Sequence, residues 1–157
     1  MHRRFDGARA VELRSPGGDI GVVVAEGFRL RLLGLMRLEA REIEPLLFLR
    51  CRSIHTHGMR TPIDLVWMET EAGQARILEV VEALAPGGYA RAPRGSGRRW
   101  GIAALELAPG EARRLRLTPT AEVEIAPHQQ GQAPPRLAIA GEGDLNPHPK
   151  GSGQLRW

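Results

Sequence analysis

The stretch from Cys51 to Met68, CRSIHTHGMRTPIDLVWM, contains the clearest β-strand of this chain and its densest group of reactive side chains. Ile63, Leu65 and Trp67 alternate with the residues between them, which predicts a strand in the second half. One aspartate lies within that strand among apolar residues, and burying it requires polar partners. The first half adds two histidines and a thiol. The stretch therefore predicts an interior strand with a polar constellation at its start.

Similar patterns predict strands on both sides of this stretch. The residues from Ala10 to Arg14 alternate, those from Ile20 to Ala25 are mostly β-branched, and the segment between them has the composition of a turn, so a hairpin is expected. Further strands are predicted by alternating or short apolar segments at 46–49, 75–83, 100–107 and 121–125.

Two short helices are predicted in addition. Between Gly27 and Arg37, the apolar residues Phe28, Leu32, Leu35 and Met36 recur at helical spacing. The segment 109–112 begins with proline and carries an acid, which favours one or two helical turns. A chain of 157 residues suits one domain. Together these elements indicate a β-rich α+β domain built on a compact, bent antiparallel or mixed sheet.

Two segments have no periodic pattern. The loop 86–99 is rich in Gly, Pro and Arg, and loops of this length are often functional or disordered. The chain after residue 126 is rich in Pro and Gly and buries too little apolar surface to offset the entropy of ordering. We therefore expect one globular domain over 1–126 and a flexible tail over 127–157.

The charge of the chain is basic, with 22 Lys and Arg against 18 Asp and Glu, a net charge of +4. Most arginines alternate with acids, so a nucleic-acid partner is not expected. As an alternative, a basic cluster with aromatic residues at its ends predicts a nucleic-acid accessory protein acting through the loop from Arg91 to Arg99. This cluster comprises Tyr89, Arg91, Arg94, Arg98, Arg99 and Trp100.

A cytoplasmic location is expected. The single cysteine permits no internal disulfide, which agrees with a reducing compartment. The arginines near the N-terminus are not followed by the apolar run of a signal peptide. Every apolar run is also far shorter than the roughly 20 residues that cross a bilayer, so no membrane span is expected.

Three motifs in this order resemble the domain of unknown function 192 family. They are Arg31-Leu32-Leu33-Gly34-Leu35-Met36, then Ile54-His55-Thr56 with Gly58-Met59-Arg60 and Pro62-Ile63-Asp64, and finally Leu105-Glu106-Leu107-Ala108-Pro109-Gly110. The resemblance covers residues 8 to 126. It implies a strongly bent sheet or a partly open barrel with helices at its edge, and it implies no particular activity.

Matching these motifs gives six candidate ligand-binding residues, which are Arg31, His55, Met59, Arg60, Asp64 and Glu106. In one interpretation, Arg31, Arg60 and His55 line a pocket for a small anionic ligand, and Glu106 orients one of the cations. A structural interpretation is favoured for Arg60 and Asp64, because the turn between them can bring the guanidinium to the carboxylate.

Two catalytic alternatives use the histidines. His55 and His57 lie on one face if the segment is extended and can share a metal, with Cys51, Asp64 or Glu106 as third ligand, which predicts a metal-assisted hydrolase. The simpler role of His57 is a partly buried aromatic residue. Cys51 and His55 have the residue types of acyl transfer but lack a third, orienting group. We therefore expect a domain without a cofactor that binds a small anionic ligand or a protein, rather than an enzyme.

Overall fold

The computed structural model describes residues 5–26, 34–96 and 101–128. These residues contain nine strands, a 3-10 turn at Ala40–Glu42 and one α-helix, α1, at Glu111–Arg114. The strands are β1 Ala10–Ser15, β2 Gly18–Val24, β3 Leu46–Leu49, β4 Ser53–His55, β5 Ile63–Glu71, β6 Gln74–Leu84, β7 Tyr89–Arg91, β8 Gly101–Leu107 and β9 Glu122–Pro127.

Seven of the strands form a closed barrel in the order β1, β2, β3, β8, β5, β6, β9. Neighbouring strands are antiparallel except β2 and β3, which are parallel over two residue pairs, Val23 with Leu46 and Val24 with Leu47. β1 closes the barrel by pairing with both β2 and β9. Closure leaves no open sheet edge at this junction, so the first and last strands protect each other.

β4 and β7 form a separate two-stranded antiparallel sheet, in which His55 lies opposite Tyr89. Thr56, which is fully buried, fixes this sheet to the connection after β6. Its hydroxyl donates a hydrogen bond to the Ala85 carbonyl at 2.6 Å and accepts one from the Gly88 amide at 2.8 Å. Because a buried hydroxyl is stable only with such partners, Thr56 sets the position of the small sheet.

The barrel strands have alternating faces; the inner face is mainly apolar, and the outer face is apolar on one side of the barrel. One cluster draws members from all seven barrel strands and fills the interior, including Leu13, Val66 and Leu105. A second cluster lies on the other face of β2, β3, β5 and β8 and includes Phe48 and Trp67. Every residue of β5 from Ile63 to Met68 is therefore buried, on either face.

The prediction of a β-rich fold with a mixed sheet is confirmed, but the barrel is closed rather than partly open. Among the two predicted helices, only the one after residue 109 is present in the described part of the chain, as α1. The predicted helix from Gly27 to Arg37 lies mostly outside the described residues, and residues 34–37 form a turn.

The predicted strands agree with β1, β2, β3, β5, β6, β8 and β9 to within a few residues at their ends. The loop 86–99 was expected to contain no long regular element, and within its described part the three residues Tyr89–Arg91 form a short strand, β7. β9 extends to Pro127, which pairs with Val11 of β1. The globular part of the chain therefore includes residue 127.

Candidate functional site

A cavity of about 130 Å³ lies on the second cluster, between the barrel wall and the β4–β7 sheet. Its wall is mainly apolar and sulfur-containing, and its polar groups come from a serine, a histidine and one carboxyl group. The lining residues are Gly34, Leu35, Met36, Phe48, Cys51, Ser53, Ile54, His55, Met59 and Glu106. His55 is exposed, so the cavity reaches the surface beside β4.

Glu106 is the acidic residue of this lining, and its position follows from the alternation of β8. Leu105 and Leu107 point into the barrel, so Glu106 points to the opposite face. There it lies between Leu46 of β3 and Leu65 of β5, its partners across the two ladders. Glu106 is only 4% exposed, although it lines the cavity.

No residue in the described ranges makes a hydrogen bond or an ion pair with the Glu106 carboxyl group. Burial raises the pKa of Glu106 from its ordinary value of 4.5 to about 8, because the charged form loses its hydration without gaining a partner. At neutral pH the group is therefore mainly a carboxylic acid. The indole nitrogen of Trp67 is a fully buried polar atom that also has no hydrogen-bond partner in the described structure.

The turn after β4 holds the opposite wall of the cavity. The Met59 amide donates to the Thr56 carbonyl at 3.2 Å, and the Arg37 amide donates to the Gly58 carbonyl at 3.1 Å. Gly58 has a φ of 75°, and a Cβ atom there would lie 2.6 Å from the terminal methyl of Met36. The positive φ therefore favours glycine, whereas the methyl group is the flexible end of Met36 and can move aside.

Three of the six candidate ligand-binding residues, His55, Met59 and Glu106, meet at this cavity. Arg31 lies outside the described residues. Arg60 is not part of the lining; its side chain is 64% exposed, and its guanidinium forms an ion pair with Glu39 at 3.1 Å. The expected pairing of Arg60 with Asp64 was therefore wrong.

Asp64, the sixth candidate, lies on the interior face of β5 and not at the cavity. One carboxylate oxygen accepts a hydrogen bond from the Ala83 amide at 3.0 Å. The other accepts from the amides of Gly110 at 2.8 Å and Ala112 at 3.2 Å. Three backbone donors thus provide the polar partners that its burial required, which gives Asp64 a structural role.

The two histidines differ in position. His55 ends β4, whereas His57 is exposed in the following turn and does not line the cavity. The expectation that His57 is partly buried was therefore wrong. Within residues 5–26, 34–96 and 101–128, no group of three or more His, Cys, Asp and Glu side chains is arranged to hold a metal ion. Cys51 lines the cavity, and its thiol donates to the Ser53 carbonyl at 3.2 Å.

The basic cluster is only partly described, because Arg98, Arg99 and Trp100 lie outside the described residues. On β7, the Arg91 guanidinium lies 5.6 Å from the centre of the Tyr89 ring. It also donates a hydrogen bond to the Tyr89 hydroxyl at 2.7 Å, which lowers the pKa of that hydroxyl. Arg91 and Tyr89 therefore contact each other on the surface.

Several lining residues were not singled out as site residues from the sequence. Phe48 and Ile54 have the pattern of ordinary core residues, and Met36 was assigned to the apolar face of a helix. Their place in the cavity depends on how β3, β4 and the turn at 34–37 come together. The Gly-Leu-Met and Gly-Met motifs were the available signal, since each contributes a methionine to the wall.

No helix in the described part of the chain has both the length and the apolar composition needed to cross a membrane. The family model of DUF192, described as Uncharacterized ACR, matches residues 11–125. A comparison with curated proteins gave no significant match.

A crystal structure of a protein of unknown function from Novosphingobium aromaticivorans DSM 12444 has a similar fold, with a TM-score of 0.55 and 22% sequence identity. The alignment covers 73% of this chain and 83% of that one. At this identity the similarity concerns the fold.

Proposed function

Because the chain belongs to the DUF192 family, whose description assigns no activity, we propose a function from the cavity itself: the domain binds a small ligand above Glu106. The observation that carries this proposal is the Glu106 carboxyl group, buried and without a partner among the described residues. Burying a polar group without a hydrogen bond costs a few kcal/mol, roughly 1–3 by mutational measures. A ligand that supplies the partner recovers this cost.

The rest of the lining supports binding rather than a reaction. Met36, Met59 and Phe48 provide adaptable apolar contacts, and few polar groups converge on the cavity. Cys51 shares the cavity with His55, but its thiol already donates to the backbone of Ser53. We therefore assign Glu106 and His55 to ligand recognition and no residue to a chemical step. The chain has a single cysteine and so no internal disulfide, which agrees with a cytoplasmic location.

Methionine methyl groups give a direct test. The chain has four methionines, of which Met36 and Met59 line the cavity and Met68 lies inside the barrel. Full-length protein labelled with ¹³C at the methionine methyls is titrated with a panel of small anionic, neutral and cationic fragments. Saturable shifts of the Met36 and Met59 signals are expected, with the Met68 signal unchanged.

The matched variant is Glu106→Leu, which removes the carboxyl group but keeps an apolar side chain of similar length. We expect it to abolish the saturable shifts while the Met68 signal still reports a folded barrel. If no fragment class gives a saturable response at Met36 and Met59 in the wild-type protein, the proposed function is wrong.

A further inference from the structure

We propose that the cavity takes a guanidinium group, carried by a small organic cation or by an arginine side chain, and binds it through the carboxylate of Glu106. This inference deepens the proposed ligand-binding function and rests on it.

The size of the cavity favours a head group over a whole ligand. A volume of about 130 Å³ is well below the roughly 300–1,000 Å³ of pockets that enclose drug-sized molecules. It nevertheless has room for several water molecules, and so for a compact polar group. The exposed position of His55 at the cavity leaves space outside for the remainder of the ligand.

The charge of the lining favours a cation. Among the described residues, the ten that line the cavity include no lysine or arginine, and Glu106 is the one acid. An anion in this cavity would lose its hydration with little positive charge to replace it, whereas a cation can form an ion pair with Glu106. The anionic ligand expected from the sequence depended on Arg31, Arg60 and His55. Of these, His55 lines the cavity, Arg60 lies outside the lining and pairs with Glu39, and Arg31 lies outside the described residues.

The walls favour a guanidinium among small cations. A guanidinium is planar, is more weakly hydrated than an ammonium, stacks on aromatic rings and donates two parallel hydrogen bonds to one carboxylate. Phe48 provides an aromatic ring, and Met36 and Met59 provide polarizable sulfur atoms. The unpartnered Glu106 carboxyl group provides two oxygens as acceptors.

Binding in this way displaces a proton. Glu106 is mainly protonated in the free protein near neutral pH; the guanidinium enters with its charge, Glu106 ionises, and the proton passes to solvent. Two other lining groups can titrate, Cys51 and His55, whereas β3 contributes none. On β5, the carboxylate of Asp64 faces the barrel interior and is held by backbone amides.

The test compares three planar probes of similar shape and different charge: methylguanidinium, N-methylurea and acetate. Each is titrated into full-length protein at pH 7 and pH 9, with the Met36 and Met59 methyl signals as reporters. Methylguanidinium should bind most tightly. Its affinity should be about tenfold higher at pH 9 than at pH 7, because a group with a pKa of about 8 is ionised in about a tenth of molecules at pH 7 and nine-tenths at pH 9.

Two glutamine variants distinguish an effect of the cavity carboxyl group from an effect of losing any surface carboxyl group. Glu106→Gln is nearly isosteric and uncharged, and it should lose both methylguanidinium binding and the pH dependence. Glu82→Gln removes a carboxyl group in the same way but at a surface residue paired with Arg113, and it should behave as wild type. A pH dependence that persists in Glu106→Gln would assign the titration to Cys51 or His55 and overturn the inference.

The three probes also distinguish this inference from the function on which it rests. If acetate or N-methylurea binds more tightly than methylguanidinium, the domain binds a ligand but the guanidinium assignment is wrong. If none of the three, and no fragment of the wider panel, binds at Met36 and Met59, both proposals fail. Should methylguanidinium bind, the tripeptide Gly-Arg-Gly distinguishes the source: equal affinity indicates an arginine side chain of a polypeptide, and exclusion of the peptide indicates a free small cation.

Discussion

Among single residues, Glu106 couples the stability of the barrel to pH. The carboxyl group has a pKa of about 8 in the folded protein and an ordinary value of 4.5 when exposed. Between these values the folded state binds a proton that the unfolded chain has released, so stability is lost as the pH rises. The contribution of Glu106 to the free energy of unfolding is complete below about pH 4.5. It decreases between about pH 4.5 and pH 8 and does not change further above pH 8.

We therefore predict that the free energy of unfolding of the wild-type protein falls between pH 5 and pH 9 by a few kcal/mol relative to Glu106→Gln. The slope from this one group is at most about 1.4 kcal/mol per pH unit. Urea unfolding at several pH values measures it, with Glu82→Gln as control. Parallel curves for wild type and Glu106→Gln would show that Glu106 is ionised in the folded state.

The sequence indicated some of the site but not how it is arranged. The motifs contained His55, Met59 and Glu106, which meet at the cavity. Arg60 and Asp64, four residues apart, were expected to pair. The structure instead pairs Arg60 with Glu39, more than twenty residues away. Spacing along a turn could not reveal this, because the choice of partner depends on where the connection before β3 lies.

At the scale of elements, Asp64 joins β5 to the end of β6 and to α1. Its two oxygens satisfy one amide at the end of β6 and two at the start of α1. Because Asp64 is only 1% exposed, water has little access to these three hydrogen bonds. The short α1 is thus held to the barrel from its first turn, which helps a helix of only four residues to form.

We predict that Asp64→Ala lowers the free energy of unfolding by about 2–4 kcal/mol, because it leaves buried backbone donors without an acceptor. Asp64→Asn keeps one acceptor oxygen and should cost roughly half as much. Asp19→Ala, at an exposed position of β2, is the control and should change stability by less than about 0.5 kcal/mol. Methylguanidinium affinity should be unchanged in Asp64→Asn. A loss of affinity in this variant would show that Asp64 takes part in ligand binding.

The predictability of the elements depends on their length and periodicity. β5 and β1 alternate clearly over five residues or more, and both were predicted within a few residues. β7 is three residues long and lies between Gly and Pro residues, so it has no periodic signal of its own. β7 forms because its backbone pairs with β4 and because Thr56 accepts a hydrogen bond from Gly88, the residue before β7. Both contacts join segments that are far apart in the sequence.

At the scale of the whole molecule, the closed barrel depends on its last strand. β9 pairs with β1 on one side and with β6 on the other. Its inward residue Val123 also belongs to the interior cluster. Closure was not predicted, because alternation specifies the faces of a strand and not its neighbours. The single parallel junction, between β2 and β3, was likewise not evident from the local sequence.

We predict that a chain ending at His128 keeps the free energy of unfolding of the full chain to within about 0.5 kcal/mol, consistent with the proposed division between a domain and a tail. A chain ending at Thr120 lacks β9 and should not unfold cooperatively, because both β1 and β6 lose a partner. Urea unfolding followed by tryptophan fluorescence distinguishes the two. If the chain ending at His128 is much less stable than the full chain, residues 129–157 contribute to the fold.

The pairing of Val11 with Pro127 also has a consequence for biosynthesis. β9, the partner of β1, is the last of the described strands to be synthesised, so nearly all of the described domain must leave the ribosome before the barrel can close. Until then β1 has only β2 as a neighbour, and its other edge is open to pairing with foreign chains. Loop closure over such a distance also makes folding slow compared with that of local structures. Until β9 is made, the β1–β2 hairpin therefore has one unpaired edge.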